Sequence, residues 1–400
     1  MQVLVIGTRD TKAAELDYVA GLIGAAGCEV TIVDVGTLSD GSGAHVTPSD
    51  VAAHHPDGPD ALRTDDRGAA VQAMATALTH YLTSLDPATI GGVIGLGGSG
   101  GTSLITTAMR ALPVGIPKLM VSTVASGNVG GYVGPTDITM MYSVTDIAGL
   151  NRISRRVLAN AAHAIAGMAT CSAPAADEDK PAVGLTMFGV TTPLVTSLVE
   201  SLRDEYEPLV FHATGTGGRS MEKLVESEML VAVLDMTTTE VADHIVGGIM
   251  SAGPGRLDAI AKTGIPYVGS VGALDMVNFG ALDTVPGQFK DRNLYVHNSA
   301  TTLMRTTPDE NRRFGEFIAA KLNTMTGPSR FLLPEGGVSL IDAPGRAFYD
   351  PEADAVLLDT IEAGVTAPNV EVRRVPANVN DAEFADAVLV AFSEVMEERQ

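Results

Sequence analysis

"QVLVIGTRDTKAAELDYVAGLIGAAGCEVTIVDV" (residues 2–35) is the stretch on which the fold reading turns. It opens with "QVLVIGT" (2–8), a short apolar run rich in Val and Ile that stops at Gly7, as a buried strand does. "TKAAELDYVAGLIGAAG" (11–27) then carries apolar residues at Leu16, Val19, Ala20 and Ile23, a helical spacing, and Gly27 ends it. "EVTIVDV" (29–35) is a second strand. Strand, helix and strand in so short a span make a βαβ unit, which demands parallel pairing and a right-handed crossover.

The alternation continues outward. "RGAAVQAMATALTHYLTSL" (67–85) has helical spacing, "IGGVIGL" (90–96) reads as a strand, "TSLITTAMRAL" (102–112) as a helix and "PKLMVSTV" (117–124) as a strand. "ITMMYSV" (138–144) is a further strand and "DIAGLNRISRRVLANAAHAIAGMA" (146–169) a long helix. "CSAPAADEDKP" (171–181) is polar, charged and holds two prolines, so it is the expected domain junction. Beyond it the pattern restarts, with strands expected at 182–189, 207–213, 230–236, 267–274, 293–299 and 330–339. Helices are expected at 193–205, 221–229, 237–250, 308–325, 353–364 and 381–398. The reading is an α/β protein with an N-terminal domain over 1–175 and a C-terminal domain over 182–400.

Composition bounds the function. The 400 residues include 26 basic and 48 acidic side chains, a formal net charge of -22. Such a chain repels a phosphate backbone, so a nucleic-acid partner is not expected. Two cysteines, Cys28 and Cys171, make neither a disulfide framework nor a zinc motif and fit a reducing compartment. No apolar run reaches the ~18 residues of a membrane helix. "MQVLVIGTRD" lacks the basic start of a signal peptide, so a cytoplasmic protein is expected. The eight histidines show no ligand spacing, and no metal site is expected.

The chemistry concentrates in glycine-rich turns. In "GLGGSGG" (95–101) five of seven residues are glycine, between an apolar run and a helical pattern. One tight turn would not need so many. Consecutive backbone N–H groups at a helix start, with the helix dipole behind them, suit an anion such as a phosphate. Gly97, Gly98, Ser99, Gly100, Gly101 and Thr102 are therefore candidate ligand-binding residues. The stretch fits G-x-G-x-x-G, but the next strand ends in Ser122 and Thr123, not in the acid a dinucleotide site needs, and the nearest acid downstream is Asp137. "GTRDTK" (7–12) is a second candidate, with Arg9 and Lys12 placed for an anion, and Asp34 ends the next strand where a ribose acceptor would lie. In the second half "FHATGTGGRS" (211–220) offers His212 and Arg219. "DMTTTE" (235–240) offers Asp235, Glu240 and three threonines, and His297 ends another strand. All lie beyond strand ends, where open α/β sheets bind ligands.

The motifs "GLGGSGGT", "GNVGGYVGPTDITMMYSVTDIAGLN", "FHATGTGGRSMEKL", "LDMTTTEVADHIVGGIMSAGPGRLDA", "GALDMVNFG", "TLMRTTPDEN" and "NDAEFADA" together resemble a family of bacterial and fungal proteins. That family includes the N-terminal region of a tomato mosaic virus resistance protein. The resemblance spans nearly the whole chain. It implies two Rossmann-like subdomains with a cleft between them, ATP (with or without magnesium) bound by the first, and a homodimer. Carried onto this chain, the nucleotide site falls on Gly7, Thr8, Arg9, Asp10 and Lys12, on Asp34 and Gly36, on Gly97 to Thr102, and on the segment from Ser122 and Thr123 to Asp137.

Two functions are compatible with these residues. One is an ATP-binding protein with the phosphates on the first-half loops. The other is an enzyme acting on a small acidic metabolite between the domains, with His212, Arg219, Asp235, Glu240 and His297 as catalytic groups. An NAD-dependent oxidoreductase is a weaker third.

Overall fold

A computed structural model describes residues 2–171 and 180–399. The chain divides into two compact units, Met1–Ala175 and Ala176–Gln400. Most of the expected junction, residues 172–179, lies outside the described residues.

The first unit is built on five parallel strands: β1 (Gln2–Gly7), β2 (Glu29–Asp34), β3 (Ile90–Gly97), β4 (Lys118–Ser122) and β5 (Thr139–Tyr142). Their order is β2-β1-β3-β4-β5. Side chains alternate across a strand, and here both faces are covered. Val3 and Val5 pack with Leu16, Val19 and Ile23 of the helix Arg9–Ala25 and with Leu158 and Ile165 of the helix Arg152–Thr170. Leu4 and Ile6 turn to the other face, against Met74 and Leu78 of the helix Arg67–Ser84 and Ile105 and Met109 of the helix Ser99–Ala111.

The second unit repeats this winding. β6 (Ala182–Met187), β7 (Glu207–His212), β8 (Ala232–Thr237), β9 (Tyr267–Gly272), β13 (Ser329–Pro334) and β14 (Val370–Val375) form a parallel sheet in the order β14-β13-β9-β8-β6-β7. Between β9 and β13 the chain adds an antiparallel sheet of β10 (Met276–Phe279), β11 (Leu294–Asn298) and β12 (Thr301–Arg305), with β12 in the middle. That sheet is absent from the sequence expectation, which had only the strand at 293–299. Val183, Leu185, Leu234 and Leu332 face helices Thr192–Leu202 and Ala382–Glu398, while Val233, Tyr267 and Phe331 face the opposite layer.

Two helices start earlier than their periodicity predicts. The helix after β3 opens at Ser99 rather than Thr102, and the helix after β7 opens at Thr216 rather than Met221. Both early turns are glycine-rich, so their low intrinsic helix preference hides them in the sequence.

Candidate functional site

In the first unit the chain runs from β1 to β2 on one side and then crosses to β3 on the other. The crevice beyond the ends of β1 and β3 is therefore the switch point at which such sheets take ligands. "GTRDTK" follows β1 and "GGSGGT" follows β3, so the fold brings both loops to that edge.

Gly98 is extended (φ −78°, ψ −163°) and offers the following helix no side-chain cap. The first intrahelical bond is donated by Thr102 N–H to Gly98 O at 2.8 Å. The turn ahead of it presents backbone donors to the crevice. None of the five glycines has a positive φ. They differ instead in what a side chain would meet. A Cβ on Gly97 would sit 2.8 Å from the backbone of Gly101 and Thr102, so that glycine serves strand–helix packing. A Cβ on Gly100 would meet nothing within 4 Å, and on Gly98 only Thr123 Oγ1 at 3.8 Å. Those two leave open space. Ser99 and Gly100 are exposed.

The polar residues around the loops are mostly committed elsewhere. Asp34 is fully buried. Its Oδ1 accepts Arg9 N–H at 3.0 Å and Gly36 N–H at 2.9 Å, and its Oδ2 accepts the Ser39 hydroxyl. Asp34 thus ties the first two loops together instead of facing a ribose. The Arg9 guanidinium grips Asp17, with Nη1 to Oδ1 at 2.6 Å, and donates Nε to Ser42 O at 2.8 Å. Thr102 and Ser122 share one buried hydrogen bond of 2.6 Å. Asp137 belongs to the opposite edge of the sheet. It lies just ahead of β5 and pairs with Lys118, the first residue of β4, at 2.7 Å. Lys12 keeps donors in hand: its Nζ gives one to Ile147 O at 2.9 Å, and an ammonium has three. Thr8 and Thr11 share a hydrogen bond of 2.8 Å, and Asp10 is exposed beside Gly36. Thr123 donates its N–H to Gly97 O at 3.3 Å, which pins the glycine loop to the end of β4.

The second-unit candidates separate into two groups. Asp235 and Glu240 are fully buried around Arg256, a residue not among the sequence candidates. Arg256 donates Nη2 to Asp235 Oδ1 at 2.7 Å, Nε to Glu240 Oε2 at 2.9 Å and Nη1 to Glu222 Oε1 at 2.9 Å. Thr186 and Tyr267 donate hydroxyls to Asp235 at 2.6 and 3.3 Å. Burial works against the guanidinium's charge, but Asp235, Glu240 and Glu222 outweigh it and hold Arg256 well above its usual range. This is a buried structural hub, and Thr237, Thr238 and Thr239 are buried with it. Arg219, expected to converge with Asp235, instead is exposed and turns Nε back to Gly215 O at 2.8 Å. His212 and His297 do meet. Both line a pocket of about 180 Å³ with Phe188, Gly189 and Leu303. Among the described residues no group of three or more His, Cys, Asp or Glu is placed to hold a metal ion, and no helix is long and apolar enough to cross a membrane.

Two consecutive domain families match this chain: the N-terminal domain of uncharacterised protein family UPF0261 over residues 1–174 and its C-terminal domain over 180–396. The chain belongs to the UPF0261 family. A UPF0261 protein of Mesorhizobium japonicum is 54% identical over 97% of this chain and 97% of its own length. A UPF0261 protein of Clostridium tetani is 46% identical, with 99% of each chain covered. The ToMV resistance protein Tm-1(GCR237) of Solanum lycopersicum is 45% identical over 98% of this chain, which spans 56% of that protein. The resemblance read from the motifs therefore holds at the level of UPF0261, a family whose description names no ligand.

Proposed function

We propose that the first unit is a nucleotide-binding module that holds the phosphates of ATP on the loops after β1 and β3. The observation that carries the reading is the open backbone at Gly98 and Gly100, at an uncapped helix start and at the switch point of the sheet. Backbone N–H groups and the helix dipole attract phosphate there without side-chain help. Lys12 supplies the cation. Arg9, Asp34 and Asp137 are left out of this reading, because each is hydrogen-bonded within the protein itself. The choice of ATP over other nucleotides is supported by the motif resemblance alone.

The same resemblance supports a homodimer, and the two free cysteines, Cys28 and Cys171, are consistent with a cytoplasmic protein. Titration calorimetry with ATP tests the central reading. Saturable binding near one nucleotide per chain is expected, and no heat at millimolar ATP would overturn it.

A further inference from the structure

The second unit has its own switch point. From β6 the chain pairs β7 on one side, then crosses to β8 on the other. The pocket shared by His212 and His297 opens at this edge. Phe188 and Gly189 come directly after β6, His212 is the last residue of β7, and His297 and Asn298 end β11. The two units thus use the same winding, and each has a concavity where that winding predicts one.

The lining specifies a ligand. Phe188 and Leu303 give an apolar floor, and the His212 ring lies against Phe188 with centroids 5.4 Å apart and planes tilted by 31°. A Cβ on Gly189 would meet nothing within 4 Å, so the backbone there is open. The polar groups are the two exposed imidazoles, Asn298 and Thr301, whose hydroxyl can also donate. Asn298 Oδ1 accepts Ala300 N–H at 2.8 Å, which leaves its NH₂ as the group to donate. An imidazole always has at least one N–H to donate. The rim is thus a set of donors over an apolar base.

Size and charge narrow the class. The pocket of about 180 Å³ falls below the roughly 300–1,000 Å³ of sites that enclose drug-sized ligands, which favours a small molecule. Among the described residues no Lys or Arg lines it, so the bidentate or multiple cationic contacts that phosphates attract are absent. A single carboxylate needs fewer donors, and a compact apolar body would cover Phe188 and Leu303.

We infer that this pocket is a second ligand site, for a small monocarboxylate with a compact apolar body, independent of nucleotide binding in the first unit. The test titrates the full-length protein with 3-methylbutanoate and with benzoate, read by calorimetry and by the ring resonances of His212 and His297 in ¹H–¹³C spectra. Saturable binding of at least one acid that moves both rings is expected. His212→Gln and His297→Gln should each weaken it tenfold or more, and the double variant should lose it. Both side chains are exposed, so the variants should keep the wild-type melting temperature and ATP affinity. Rings unmoved by either acid, or unchanged affinity in the double variant, would overturn the site. Inorganic phosphate moving both rings at lower concentration than either acid would overturn the carboxylate class. Loss of ATP binding in a folded His212 or His297 variant would overturn the independence of the two sites, whereas failure of the wild-type protein to bind ATP bears on the first unit alone.

Discussion

Arg256 Nη2 and Asp235 Oδ1 lie 2.7 Å apart with neither side chain reaching solvent. The pair is the centre of a network in which one guanidinium serves three carboxylates. Removing one partner from a buried charge cluster strands the others, which costs about 3–5 kcal/mol. Arg256→Met should therefore lower the melting temperature by roughly 10 °C, at about 2–4 °C per kcal/mol for a unit of this size. Thermal unfolding followed by circular dichroism measures it. A shift under ~3 °C would show that the carboxylates relax by taking up protons.

The glycine loop separates stability from binding. Gly97→Ala places a Cβ 2.8 Å from backbone atoms of Gly101 and Thr102 and should destabilise the first unit. Gly100→Ala lies in a helix with open space around it, so it should raise stability by up to ~1 kcal/mol. Gly98→Val and Gly100→Val should leave the fold intact and abolish ATP binding by blocking the approach of phosphate to the backbone. Unchanged ATP affinity in a folded Gly100→Val protein would remove the glycine loop from the site.

Cofactor choice follows from the end of β4. Ser122 stands where a dinucleotide site would need an acid, and Asp137 is at the other edge. ATP or ADP should raise the melting temperature well beyond NAD or NADP. A hundredfold excess of ligand over Kd stabilises by about 2.7 kcal/mol. Differential scanning fluorimetry compares the four nucleotides, and a larger shift with NAD would reverse the ranking.

Several buried carboxyls predict a pH response. Burial pushes Asp243 up to about 7, against the N–H groups of Asn278 and Met250 that favour its charged form. Burial, reinforced by the charge of Asp342, also raises Asp275, and burial raises Asp354 and Glu222. Each binds its proton more tightly folded than unfolded. The stability it contributes is complete below the ordinary carboxyl range and is lost as pH rises through the folded value. The carboxyls shifted the other way, Asp50, Glu310, Glu371 and Glu394, lose their contribution only as pH falls below about 4.5. Between pH 5 and 8 the melting temperature should fall. Each raised carboxyl adds about 1.4 kcal/mol to the loss for every tenfold by which folding tightens its hold on the proton. Asp275→Asn should flatten that slope, since Asp275 Oδ1 is buried without a partner and Asn carries no charge to bury. Calorimetric scans across this range decide the matter, and a rising wild-type curve would contradict it.

The β and α alternation was legible because its causes are local. Val3 to Ile6 are an unbroken apolar run that stops at Gly7, and Leu16, Val19 and Ile23 have helical spacing. The glycine loops were legible for the same reason. The short strands Met276–Phe279 and Thr301–Arg305 were not, because each is defined by its partner more than by its own pattern. Nor was the commitment of Asp34 and Asp235. An acid at a strand end looks the same in sequence whether it awaits a ligand or already holds Gly36 N–H or Arg256. Arg256 itself sits in a loop, 16 to 34 residues from the carboxylates it serves, a separation no local pattern encodes.

The placement of β1 in the interior of its sheet has a consequence during synthesis. β1 leaves the ribosome well before β3, yet its second edge is paired only when Gln2 to Ile6 meet Ile90–Gly95 of β3. Until then a largely apolar strand carries a bare row of backbone donors and acceptors, which is an invitation to pair with another nascent chain. The long, partly polar span between β2 and β3 sets how long that exposure lasts. Slow translation through it would favour aggregation, and a chaperone that covers the emerging strand would favour yield.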